Sequence, residues 1–146
     1  MMKMEKERIE EKEREAREWL ARAASQLEET AAALARATVL FRRGERLAAL
    51  LHVRDALMAF NSVKKEAERR MSRCFADFVD GRAYTAAVLW THSALQLVEQ
   101  EVSANLQRAL LWGIEDGEAA VDVQWAMQYV AAVRRTTRLA LRMFFN

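Results

Sequence analysis

Three glycine-centred breaks at nearly equal spacing divide this chain: Arg42-Arg43-Gly44-Glu45, Asp80-Gly81-Arg82 and Asp116-Gly117-Glu118. No proline occurs anywhere. Proline would remove a backbone donor and clash with the preceding turn, whereas glycine supplies the left-handed residue that commonly ends a helix. Segments of helix formers broken only at these points read as one long helix each. Short links between long helices make neighbours antiparallel. The expected fold is therefore all-α: an up-down-up-down four-helix bundle with short Gly-containing turns.

The first helix is expected from Lys3 to Arg42, with Ile9, Ala16, Leu20, Ala23, Leu27, Thr30, Leu34, Ala37 and Phe41 as its core-facing line. The second runs from Glu45 to Val79, with Leu50, Val53, Leu57, Phe60, Lys64, Ala67, Met71, Cys74 and Phe78. The third runs from Arg82 to Glu115, with Tyr84, Val88, Thr91, Leu95, Val98, Val102, Asn105 and Ala109. The fourth runs from Glu118 to Phe145, with Val123, Ala126, Val130, Val133, Thr137, Ala140 and Phe144. Spacings of three and four are those of a coiled-coil seam. The near-constant period also fits helical repeats such as tetratricopeptide repeats, but those need a second break inside each unit, and none is present.

A length of 146 residues and 52% hydrophobic content suit one domain with a real core. Residues 1–18 read as a charged extension of the first helix, and 19–146 as the bundle. The net charge of +2 excludes nucleic-acid binding driven by global charge. Cys74 is the single cysteine, so no intrachain disulfide forms. No apolar run is long enough to cross a membrane, and the start Met1-Met2-Lys3-Met4-Glu5 has no signal-peptide core. The expected location is cytoplasmic.

The third and fourth helices carry a second apolar line opposite the core. It comprises Trp90, Leu97, Ala104 and Leu111 on one helix. On the other it comprises Trp125, Ala132 and Leu139, extended by Val121 and Met143. Folding about Gly117 sets Leu97 level with Thr137 and Trp90 level with Phe144, which joins the two lines into one strip. The first two helices show no outer line of that regularity. An exposed apolar strip containing tryptophans marks an interface.

Several polar residues fall on core-facing positions: Thr30, Lys64, Thr91, Asn105 and Thr137. Folding about Gly81 places Lys64 beside Glu99, and folding about Gly44 places it level with the small Ala23 and Ala24. Two readings follow. In one, Lys64 pairs with Glu99 and fixes helix register. In the other it is a catalytic candidate lining a ligand cavity with Asn61, Ala23, Ala24 and Thr137, where its amine would serve Schiff-base or general-base chemistry. Asn105 and Thr30 are expected at one level across the core.

Established catalytic and metal signatures are missing. His52 and His92 project to different levels of the bundle, so they share no site. Neither a Glu-x-x-His pair, a glycine-rich phosphate loop nor a Cys/His zinc spacing occurs. No metal and no cofactor are expected. Cys74 reads as a buried thiol. Arg134, Arg135, Arg138 and Arg142 read as a solvated face or a partner for the acidic first helix.

The alternating opening Glu5-Lys6-Glu7-Arg8-Ile9-Glu10-Glu11-Lys12-Glu13-Arg14-Glu15, with equal helices, minimal turns and no proline, resembles de novo designed or redesigned single-chain four-helix bundles. The resemblance covers the layout. Thr136-Thr137 and Trp90-Thr91-His92 depart from idealised choices. It implies either a self-assembling bundle or a cavity for a small ligand. The function expected is non-catalytic: a scaffold or binding protein that forms a homodimer through the outer strip. The alternatives are a small-molecule-binding or catalytic bundle around Lys64, and a chaperone-like binder of a partner protein's helix.

Overall fold

The computed structural model describes residues 2–76, 83–113 and 118–145. They form four helices: α1 (Met2–Arg42), α2 (Arg46–Ala76), α3 (Ala83–Trp112) and α4 (Ala119–Phe145). Each helix packs on the next, α4 closes against α1, and α1 touches α3 across a diagonal. This is the antiparallel four-helix bundle that the glycine spacing predicts.

The first turn shows why glycine stands where it does. Gly44 has φ of 77°, in the left-handed region that costs most residues a steric clash. The Glu45 amide donates to the Leu40 carbonyl at 2.9 Å, and the Gly44 amide to the Phe41 carbonyl at 3.1 Å. That pair of bonds is a Schellman cap, which satisfies carbonyls the helix end would otherwise orphan. The turns expected at Gly81 and Gly117 lie outside the described residues.

Burial follows the predicted seams closely on three helices, and on α3 every seam residue but Val98 is buried. From Ala16 through Leu20, Leu27 and Leu34 to Ala37, the α1 line is buried, and so is the α4 line from Val123 to Ala140. Fully burying each leucine contributes about 1.5–3 kcal/mol. Trp19, next to the α1 line, is also buried, under the Arg70 guanidinium at 5.9 Å from its ring. Burial along α1 begins at Ala16, inside the segment read as an extension. Residues 3–8 are exposed.

On α2 the core line is rotated from expectation. Ala56 and Val63 are buried, whereas Leu57 and Lys64 sit half-buried on the flank. Two helices approach closest over small side chains, so alanines such as Ala49, Ala56 and Ala67 take the centre. The side chain of Cys74 lies outside the described residues.

Among the described residues three buried threonine hydroxyls are satisfied within their own helix, whereas that of Thr91, also on a predicted seam, has no partner. Thr30 donates to the Gln26 carbonyl at 2.8 Å, Thr38 to Leu34 at 3.0 Å and Thr137 to Val133 at 2.9 Å. Such bonds to the residue four back let threonine enter an apolar seam without a cross-helix partner.

Candidate functional site

Helices α3 and α4 lie side by side, and their outer faces carry the strip. Leu97 is 82% exposed, Leu111 73%, Met143 54%, Trp125 52%, Leu139 39% and Trp90 38%. Val121 is exposed, as is Ala104, while Ala132 is half-buried. Trp90 meets Phe144 edge to face, with ring centroids 6.1 Å apart, so the predicted register between the two helices holds at that end. A shallow groove of about 560 Å³ follows, lined by Ala86, Leu89, Trp90, Ala94, Leu97 and Phe144 among others.

The strip has a pattern along its length. Trp90, Leu97, Leu139 and Met143 lie towards one end, Ala104 and Ala132 in the middle, and Leu111, Val121 and Trp125 at the other end. Bulky ends and small centres let a second helical layer approach closely at the middle. An ion pair crosses between the helices near the second end, Arg108 to Asp122 at 3.6 Å. The flank nearest α1 is basic. Arg135, Arg138 and Arg142 border a groove with Leu139 and Leu141, and Arg138 donates to Glu28 of α1 at 2.8 Å. The acidic first helix thus supplies the expected partner for one of these arginines.

Sequence reasoning missed two parts of the apolar surface. Trp112 is 59% exposed at the end of α3, one residue beyond Leu111 and outside the seven-residue line. On α2, Leu47, Leu51 and Met58 are 69%, 49% and 64% exposed. They stand on one outer stripe at spacings of four and seven, contrary to the expectation of no regular line there. The signal was present in the sequence, but rotating the α2 seam towards Leu57 and Lys64 obscured it.

Lys64 and the residues expected around it are placed as follows. Lys64 Nζ donates to Glu99 Oε1 at 2.7 Å, with the two side chains 23% and 32% exposed. Ala23 and Ala24 are buried, Asn61 is half-buried, and Thr137 is turned to its own helix. Asn105 Nδ2 donates to the Glu101 carbonyl at 2.6 Å, and its Oδ1 accepts from Arg108 at 2.7 Å. Thr30 and Asn105 are therefore each bonded along α1 and α3 rather than to one another.

His52 and His92 are both half-buried. Among the described residues no three His, Cys, Asp or Glu side chains gather as a metal site requires. Among the same residues no helix is long and apolar enough to cross a membrane. No family model, curated protein or solved structure matches the chain.

Proposed function

We propose that the chain is a non-catalytic scaffold or binding protein whose partner is a second copy of itself, joined through the outer strip of α3 and α4. The observation that carries this reading is the exposure of six large apolar side chains on the outer faces of two neighbouring helices, with Leu97 82% exposed. Exposed apolar surface of this extent is costly to leave in water and usually marks an interface.

Size and pattern favour a copy of the same chain. From Trp90 to Leu111 the strip runs roughly 32 Å, and two helices about 10 Å apart make it roughly 20 Å wide. That gives about 640 Å² per copy, near the ~800 Å² per partner of a standard specific interface. The succession of large, small and large side chains is close to symmetric about Ala104 and Ala132. A two-fold axis can therefore lay one strip on another with both alanine centres in contact, as an isologous dimer requires.

Light scattering behind size exclusion, across a range of concentrations, tests the reading. The expected result is a dimer for the native chain and a folded monomer for Leu97→Glu combined with Leu139→Glu. A native monomer at all concentrations, or an unchanged oligomer in the double variant, overturns it. A partner protein's helix seated in the same groove is the outcome if the native chain is monomeric yet the double variant loses a co-purified protein.

A further inference from the structure

A second place in the molecule is built differently from the strip. It is a cleft of about 110 Å³ at the opposite end of the bundle from Gly44, where α1, the end of α2 and the start of α3 meet. Lys12 and Glu15 come from α1, Arg70 and Arg73 from α2, and Tyr84 from α3. Ala16 and Val88 supply the apolar wall.

Among the described residues three cations and one carboxylate line it, and their surroundings fix two of the cations. Arg70 is only 16% exposed, and its Nε donates to Glu66 at 3.2 Å. Its guanidinium lies over Trp19, with Glu15 4.0 Å from Nη1. Lys12 Nζ stands 5.8 Å from the centre of the Tyr84 ring. Arg guanidinium groups held in a plane suit bidentate recognition of oxyanions.

The independent observation is Tyr84 itself. The residue is 5% exposed, and its hydroxyl is buried with no hydrogen-bond partner among the described residues. The adjacent Thr85 hydroxyl is likewise buried without a partner among them. A buried donor left unmade costs stability, so native structures rarely keep one without a reason.

We propose that this cleft binds a small oxyanion, a phosphate or carboxylate group. Arg70 and Arg73 supply the charge, Tyr84 the neutral donor, and Ala16 with Val88 the apolar contact. A space of this size takes one such group, or about four waters at ~30 Å³ each. The proposal does not depend on self-association, because none of these residues belongs to the strip.

The test uses the full chain, with inorganic phosphate and acetate titrated at constant ionic strength. Amide shifts are followed by NMR, and thermal midpoints are recorded in parallel. The expected result is saturable shifts confined to residues 12–19, 70–73 and 84–88, with a rising midpoint for at least one anion. Arg73→Gln, at an exposed position, is expected to weaken binding at least fivefold. Tyr84→Phe is expected to raise the anion-free midpoint, because it removes the unmade donor, and to weaken binding at least fivefold. Shifts that never saturate for either anion, or binding unchanged in either variant, overturn the proposal and leave a water-filled cleft.

Discussion

Lys64 on α2 and Glu99 on α3 are joined across the bundle by a bond of 2.7 Å between partly shielded side chains. The pair ties two neighbouring helices together at one level. Shielding places its worth between that of an exposed pair, about 0–1 kcal/mol, and the 3–5 kcal/mol cost of breaking a buried one. A double-mutant cycle with Lys64→Met and Glu99→Gln, read by urea unfolding, is expected to give a coupling of about 0.5–1.5 kcal/mol. A coupling near zero would show that the contact is incidental. The same geometry predicts that Lys64 reacts with an aldehyde and borohydride no faster than the exposed Lys65.

The position of Lys64 also shows how much of the molecule the sequence made legible. Helix number, the antiparallel order and the α1, α3 and α4 seams are readable, because apolar residues at three and four spacing leave one consistent face. The α2 seam is not. Ala56 and Leu57 are adjacent, and a hydrophobicity argument prefers the leucine, whereas close helix approach prefers the alanine. A seam through Leu57 draws Lys64 into the core and obscures the outer stripe of Leu47, Leu51 and Met58. The strip on α3 and α4 was legible because tryptophan and leucine repeat there at seven. The oxyanion cleft was not, because it depends on the levels of Lys12, Arg70 and Tyr84, which come from three helices and have no shared spacing.

Trp19 is a second case in which position outranks pattern. It is 1% exposed and carries Arg70 above its ring. Trp19→Ala is expected to cost about 3–5 kcal/mol, the range for truncating a buried aromatic. It also removes the plate on which Arg70 rests, so anion binding at the cleft should weaken in any folded fraction. Trp19→Phe is the milder variant, expected to keep the fold at a cost of about 1–3 kcal/mol. Denaturant midpoints of the two variants check the order.

Two glycines make opposite demands. A methyl group added at Gly44 would meet open space, but the backbone there has a φ of 77°, so the constraint is conformational. Gly44→Asn is expected to be nearly neutral and Gly44→Ala to cost about 1 kcal/mol. At Gly113 an added Cβ would lie 2.8 Å from Leu50 Cδ2 and would press on the Ala109 carbonyl oxygen. The backbone oxygen cannot move aside as a side chain can. Gly113→Ala is expected to cost about 1–3 kcal/mol through overpacking, and Leu50→Ala should relieve only the side-chain part of it. Thermal melts of the single and double variants separate the two terms.

The unequal lengths of the helices lead to the last prediction. Helix α1 has 41 residues against 31 in α2 and 30 in α3. Its residues 3–8 are exposed, and the first buried side chain among the described residues is Ala16. The opening turns therefore rest on local terms alone: helix propensity and Glu–Lys or Glu–Arg pairs worth about 0.2–0.5 kcal/mol each. Deleting residues 2–8 should change unfolding free energy by less than about 0.5 kcal/mol. Deleting through Ala16 should cost several times more, because Ala16 leaves the core and Lys12 and Glu15 leave the cleft wall. The second truncation should also abolish the phosphate-dependent rise in thermal midpoint, while the first keeps it. If the short deletion were as damaging as the long one, the charged opening would have to be packed against the bundle rather than projecting beyond it.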